Sequence, residues 1–461
     1  MRAIIDRIIN GIPDYKAFLT VDEMDESSKK LSEKYPDLVK ISVIGKTRAD
    51  HPLYCLKIGT GSKNALMFGC PHPNEPIGAM MLEYFTEQLA TDKEFRDSLD
   101  YTWYIVKAWD ADGTKLNEKW FKGPFTIYNY TRNFFRPAGN KQVEWTFPIK
   151  YKDYVFDQPI PETQAMMKLI DEIKPVFIYS LHNAGFGGVY WYTSKDTPEI
   201  YNDLRNAALK QKIPLALGEP EVPYGITYSP AVYKMINTKD SYDYLEKHGI
   251  RNLQEVLQTG TCSADYANDV CNALTFLTEL PYFYDPRIDD TSDSDVIRKD
   301  AVLDKLQFVD ECHAIIKEIK EISNDYLDKE NPFKLAIESF TRSEGNEATR
   351  KMVNENPDFL KKATVAELFD NALIIKFYLN LSYGLLVRAN ESELFLMKER
   401  NENNPAKKEA LEKAKARAEE KLNELSAFLE ENLNYSVVPI KKLVAIQLEC
   451  GLLMADHLQK Q

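Results

Sequence analysis

Two histidines and two glutamates in this chain stand where short apolar runs give way to turns rich in small residues. Leu66-Met67-Phe68 leads into Gly69-Cys70-Pro71-His72-Pro73-Asn74-Glu75-Pro76, and Phe177-Ile178-Tyr179-Ser180-Leu181 leads into His182-Asn183-Ala184-Gly185. Imidazole nitrogens from His72 and His182 with a carboxylate oxygen from Glu75 make a three-ligand set for zinc, about one ion per chain, leaving the fourth position for water as catalytic zinc requires. A third run, Leu274-Thr275-Phe276-Leu277-Thr278, ends in Glu279. A carboxylate among such neighbours is poorly solvated unless it faces a polar site or a partner. Beside a metal it could take the proton of a water that attacks a carbonyl. Arg132 and Arg136, in Tyr130-Thr131-Arg132-Asn133-Phe134-Phe135-Arg136-Pro137, are the cations available to stabilise the oxygen charge that amide hydrolysis develops. Each residue also has a structural reading: a loop histidine bonded to a carboxylate, a satisfied strand-end histidine, a buried ion pair for Glu279, and surface arginines.

Position gives these groups their weight, since ligands collect where strands of an open α/β sheet end and side chains leave a rigid backbone. Up to about residue 290, β-rich runs alternate with amphipathic stretches. Strands are expected at 39–44, 53–58, 65–69, 103–108, 176–181 and 274–278, and helices at 21–34, 76–90, 163–173, 198–211 and 242–249. The acidic stretch after Pro286, RIDDTSDSDVIRKD, reads as a linker or a helix approach. Beyond residue 300 the periods are helical. The clearest runs over 406–432, opened by Asn404-Pro405, with Leu411, Ala414, Ala418, Leu422, Leu425 and Leu429 on one stripe. The expected architecture is α/β, a mixed sheet covered by helices, over residues 1–290, followed by an all-α region over 291–461.

With 461 residues, 44% hydrophobic and 28% charged, the composition is that of a folded protein with a sizeable core. A net charge of −13 makes nucleic acid and anionic membrane poor partners. Residues 372–387 are interrupted by Lys376 and Asn380, so no membrane span is expected, and the first residues do not resemble a secretion signal. Six scattered cysteines show no metal spacing; they suggest a reducing, cytoplasmic setting, with a Cys262–Cys271 disulfide left open.

The chain resembles the zinc carboxypeptidases of the pancreatic carboxypeptidase type over about residues 20–285. His72-Pro73-Asn74-Glu75 is similar to that family's His-x-x-Glu metal pair and His182 to its third ligand. The run ending in Glu279 resembles the strand that carries its catalytic glutamate, Pro161-Glu162-Thr163 its Pro-Glu-Thr helix start, and Lys34-Tyr35-Pro36-Asp37-Leu38-Val39 its opening. The resemblance implies a metallopeptidase fold, proteolysis as the activity and Glu279 as general base, with Arg132 or Arg136 as the oxyanion arginine. It also marks a departure. The family's Asn-Arg pair, which anchors a substrate carboxylate, aligns either with Thr131-Arg132 ahead of Asn133-Phe134 or, keeping the Phe-Pro, with Glu144-Trp145 ahead of Thr146-Phe147-Pro148, and the second alignment is preferred. Glu144, Trp145 and Asn183 are therefore the expected substrate-side residues, and an acid at 144 suits a neutral or cationic group better than a carboxylate. No counterpart of the family's capping tyrosine is evident near Leu257.

The leading expectation is a zinc-dependent hydrolase acting on a peptide or related amide bond. A deacylase of small N-acyl amino acids and a non-catalytic scaffold are the alternatives.

Overall fold

A computed structural model of the chain describes residues 1–460. Its centre is a nine-stranded mixed sheet: β1 (Val39–Lys46), β2 (Pro52–Ile58), β3 (Lys63–Phe68), β4 (Tyr101–Val106), β5 (Phe177–Leu181), β6 (Tyr190–Thr193), β7 (Thr227–Ser229), β8 (Val232–Lys234) and β9 (Leu274–Glu279), in the order β1-β2-β4-β3-β5-β9-β6-β8-β7. The run β4-β3-β5-β9 is parallel. Its strands are continuous apolar runs because both faces are covered. Alternate side chains divide between two clusters: Ala65, Met67, Phe177, Tyr179 and Leu181 enter one, while Leu66, Phe68, Val106 and Ile178 meet Met166 and Ile170 in the other. All six expected strands form, with ends shifted by at most two residues.

The expected helix at 21–34 forms over Val21–Lys34, where Thr20 and Glu23 make a reciprocal capping box. The others form as Ile77–Thr91, Pro161–Ile173, Tyr201–Lys210 and Thr238–Lys247.

Beyond residue 297 the chain is predominantly helical as expected, but not all-α: Lys362–Thr364 and Ser436–Val437 are short strands. Arg298–Ser323, Ile375–Glu399 and Pro405–Asn432 pack together, and the 406–432 stripe is buried through Leu411, Ala414, Ala418, Leu422 and Leu429. Of the two readings of the stretch after Pro286, the helix approach is the one that forms: Asp293–Ile297, a strand paired with Lys362–Thr364, runs directly into the helix Arg298–Ser323. The last helix, Ile440–Gln459, returns to the sheet of the first region. Tyr179 donates its hydroxyl hydrogen to Gln447 O (2.7 Å), and Gly451 lies so close that an added Cβ would sit 2.4 Å from the Tyr179 ring. Both regions thus contribute to one hydrophobic cluster.

The segment Val365–Glu399 is long and apolar enough by composition to cross a membrane, more so than its interrupted centre suggests; in the fold 72% of its most apolar window is buried within the protein. Cys262 and Cys271 stand at opposite ends of the helix Ser263–Cys271 and are both unpaired, a separation of about 13 Å at 1.5 Å per residue that no disulfide spans.

Candidate metal centre and active site

Three parallel strands deliver the site. β3 ends at Phe68 and the chain turns through Gly69 to Pro76 before the helix Ile77–Thr91. That helix starts directly over the end of β5, where a Cβ on Gly78 would lie 2.4 Å from the Leu181 Cβ. Only glycine permits the approach, and it brings the 72–75 turn against His182.

His72 Nδ1, His182 Nδ1 and Glu75 Oε2 form a triangle with edges of 3.1, 3.0 and 3.1 Å. All three residues are buried. Two imidazole nitrogens and a carboxylate oxygen at this spacing oppose one another's lone pairs unless a proton or a cation lies among them. The edges approach the separation of about 3.3 Å expected between ligands of a tetrahedral ion bound at about 2.0–2.1 Å, so the donor set fits zinc. The ligands are themselves held. His182 Nε2 lies 2.7 Å from Ser180 Oγ, and the tautomer that donates this bond leaves Nδ1 as a lone-pair donor. The Asn183 backbone N–H donates to Glu75 Oε2 (3.3 Å). Burial, followed by the charge of Arg136, lowers the His72 pKa to about 3, favouring the neutral imidazole that a metal needs. Burial alone would raise the Glu75 carboxyl, but His72 and His182 hold it well below the ordinary range.

Glu279, at the end of β9, has Oε1 3.7 Å from His182 Nδ1, while its buried Oε2 has no protein partner. Burial, then the neighbouring Glu75 and Glu221, push its carboxyl well above the usual range. The two arginines separate. Arg136 lines the cavity beside the triangle, its Nη1 3.4 Å from Glu75 Oε1 and its Nε donating to Gln142 Oε1 (3.2 Å). Arg132 turns away and pairs with Glu391 and Glu419 of the helical region, outside the cavity lining.

A cavity of about 730 Å³ opens over these groups. Glu144 and Trp145 lie on its wall. Glu144 is 6% exposed; its Oε1 accepts from the Ser263 backbone N–H (3.0 Å) and hydroxyl (2.7 Å) at the start of the helix Ser263–Cys271, and burial raises its pKa to about 7. Asn183 also lines the cavity, but its side chain is committed to the protein. Oδ1 accepts from Tyr282 (2.9 Å) and the Ile77 N–H (3.3 Å), and Nδ2 donates to Leu280 O (3.0 Å). Rather than offering a free substrate contact, it braces the metal loop.

Ser180 and Gln142 escaped sequence reasoning, although Ser180 stands two residues before His182 on the same strand. The far wall left no local signal at all. Lys305, His313, Arg342, Tyr378 and Leu381 come from the helical region and complete the cavity, and a loop between β6 and β7 adds Glu221.

The match to a zinc carboxypeptidase family model spans residues 24–281. Mast cell carboxypeptidase A from Mus musculus is 23% identical over 269 residues, covering 53% of this chain and 63% of its own. The Rattus norvegicus protein of the same name is 23% identical, with 53% and 64% covered. The chain therefore spans just under two thirds of the length of these curated relatives. Among solved structures, carboxypeptidase A from Helicoverpa armigera covers 61% of this chain and 71% of its own at 14% identity, with a TM-score of 0.37. A metallo-carboxypeptidase from Burkholderia cenocepacia covers 57% and 60% at 15% identity, with a TM-score of 0.35. The family model takes in more than half of the residues, including the whole His72, Glu75, His182 and Glu279 constellation, and the chain belongs to the zinc carboxypeptidase family.

Proposed function

We propose that this protein is a zinc-dependent hydrolase that cleaves a peptide or related amide bond in a short substrate. The observation that carries the reading is the convergence of Glu279 and Arg136 on the His72, Glu75 and His182 triangle within one cavity. Zinc bound there supplies a Lewis acid for a carbonyl and lowers the pKa of water. Glu279 is the group placed to accept the proton of the attacking water and to return it to the leaving nitrogen. The Arg136 guanidinium faces the same space and stabilises the charge that grows on the carbonyl oxygen. Glu75, held by the Asn183 N–H, and His182, held by Ser180, keep the donor atoms in place while charge moves.

The walls also bear on substrate size. A cavity of about 730 Å³ with one side built from residues 305–382 suits a substrate of a few residues more than a long chain threaded through an open cleft. The same volume keeps a second reading, deacylation of a small N-acyl amino acid, in play. The unpaired cysteines fit a reducing compartment, and we place the protein in the cytoplasm.

Elemental analysis should find about one zinc per chain in the purified protein. The His72→Ala, His182→Ala double variant should lose it, and Glu279→Gln should keep it while losing most turnover. Zinc retained in the double variant, or Glu279→Gln activity within a few-fold of the parent, would overturn the assignment. A length series of peptides beside N-acetyl amino acids separates the peptidase from the deacylase.

A further inference from the structure

Glu75 lies inside a closed loop of hydrogen bonds. The segment 74–77 is joined at both ends to Asn183, the neighbour of His182. At one end the Ile77 N–H donates to Asn183 Oδ1 (3.3 Å). At the other, the Tyr282 hydroxyl lies 3.1 Å from the Asn74 carbonyl oxygen and 2.9 Å from the same Asn183 Oδ1, so its single hydrogen serves both acceptors. Between these ties Glu75 Oε2 accepts from the Asn183 N–H. The turn that carries Glu75 and the loop that follows His182 therefore meet at one hydroxyl group.

Tyr282 is itself fixed through both backbone and ring. Its N–H donates to Gly185 O (2.9 Å), and its carbonyl accepts from the Val438 N–H of the helical region (2.9 Å). Its ring stands edge-on to Phe18 and Trp120, with centroids 5.7 and 5.3 Å away, and only 5% of the residue is exposed. Burial pushes its pKa well above the usual range, which keeps the hydroxyl a donor. Nothing in this packing needs an oxygen: a phenylalanine ring would fill the same space without a polar group to desolvate. What the hydroxyl adds is the junction of the two turns.

We infer that Tyr282 is a positioning residue for the metal centre, its hydroxyl holding residues 74–77, and Glu75 with them, against the His182 loop so that the donor triangle is formed before zinc binds. This rests on the zinc-binding half of the proposed function and not on the bond that is cleaved. Donors held in place beforehand lose little freedom on binding, and outer contacts that orient ligands are worth about 10- to 100-fold in metal affinity. Without the hydroxyl the Asn74 end is released while the Ile77 tie remains, so the effect belongs at the lower end of that range.

The experiment is competition for zinc between a chelator of known affinity and the full chain stripped of metal. Tyr84→Phe is the control: Tyr84 is also buried and donates to a backbone carbonyl, Ile8 O (2.7 Å), but no residue of the helix Arg2–Asn10 lines the cavity. Tyr282→Phe should weaken zinc binding about tenfold, with Tyr84→Phe within about twofold of the parent. Tyr282→Phe within about twofold of the parent, or an equal loss in both variants, would overturn the inference. A second measurement needs no variant and stands even if Tyr282→Phe misfolds. Hydrogen exchange over residues 72–80 of the unmodified protein, read by mass spectrometry, should agree within about threefold with and without zinc, because the tyrosine rather than the ion orders the turn; exchange about tenfold faster without zinc would overturn the inference. A Tyr282→Phe shift in a protein that hydrolyses no peptide would sink the hydrolase reading and leave the role of Tyr282 standing. Unshifted affinity in a protein that does hydrolyse peptides would do the reverse, and a parent that binds no zinc would overturn both.

Discussion

Replacing Arg388 by methionine should destabilise the protein and slow its reaction without changing its zinc content. Arg388, on the helix Ile375–Glu399, donates to the carbonyl oxygens of Asn133 (2.7 Å), Phe134 (2.9 Å) and Leu116 (2.6 Å), and its guanidinium lies 4.4 Å from the Phe333 ring centroid. It is buried, and among the described residues no carboxylate lies within bonding distance. Burial, with Arg132 nearby, lowers its pKa from 12.5 to about 10. Three charge-assisted bonds at about 1.5–3 kcal/mol each contribute roughly 5–9 kcal/mol. The depressed pKa marks an opposing cost of about 3 kcal/mol. Methionine retains much of the contact with Phe333 but leaves three carbonyls without their donor, so the net loss should be about 2–6 kcal/mol. At an unfolding entropy of about 2 cal/mol/K per residue, a chain of 461 residues converts 1 kcal/mol into about 1 °C. Differential scanning calorimetry should therefore show a Tm lower by about 2–6 °C. Asn133 and Phe134 lead towards Arg136, so kcat/KM should fall about tenfold as the arginine proposed to stabilise the oxyanion loses its support. A Tm within about 1 °C of the parent together with unchanged kcat/KM would refute the claim that the helical region positions this arginine.

Exchanging the two arginines for methionine separately should divide their roles. Arg136→Met should lower kcat/KM by about 100- to 1,000-fold, and Arg132→Met, which breaks a peripheral ion pair, by no more than a few-fold; equal effects on activity would count against Arg136 as the oxyanion group. Glu144 gives a pH signature. Its folded pKa of about 7 exceeds the unfolded value of about 4.5, so its stabilising effect is complete below about pH 4.5 and lost as pH rises through 7, up to about 3 kcal/mol. Melting curves of Glu144→Gln should accordingly fall less between pH 5 and 8 than those of the parent, by about 3 °C, and parallel curves would contradict the raised pKa. If Glu144-Trp145 has replaced a carboxylate clamp, free-acid and amidated forms of one peptide should be cleaved at similar rates; a preference of about a hundredfold for the free acid would mean that another cation holds the carboxylate.

What the sequence makes legible follows from how local each signal is. The helix Val21–Lys34 is readable to the residue because its capping box lies within four residues. His72, Glu75, His182 and Glu279 are readable because each ends or follows an apolar run, a context that needs no knowledge of distant partners. By contrast β6 is hard to see: Tyr-Trp-Tyr-Thr is four residues long and follows Gly187-Gly188, so its aromatic β-propensity is masked by a loop signal. The different surroundings of Arg132 and Arg136 are illegible for another reason. They lie four residues apart and differ only in what each meets, Glu391 on one side and Glu75 on the other. Helical stripes beyond residue 300 likewise reveal which face is buried, not that it closes over a cavity formed by residues 72–279.

That closure bears on how the protein divides. A boundary near residue 290 follows the change from mixed to helical texture, yet the lining of the cavity crosses it. Gln447 stands close to both a sheet residue and the candidate metal site: its carbonyl accepts from Tyr179, and its side-chain amide lies 3.3 Å from the His182 carbonyl. Arg388 secures the backbone that leads to Arg136, and Asp370 with Arg298 secures the loop that carries Glu221. The backbone of His182 and the backbone that leads to Arg136 each receive a hydrogen bond from beyond residue 297. A segment ending at residue 290 would retain every residue of the family constellation and lose the groups that hold several of them in place. On the proposed function, the helical region is therefore part of the site in the energetic sense, since precise placement of reacting groups is worth orders of magnitude in rate.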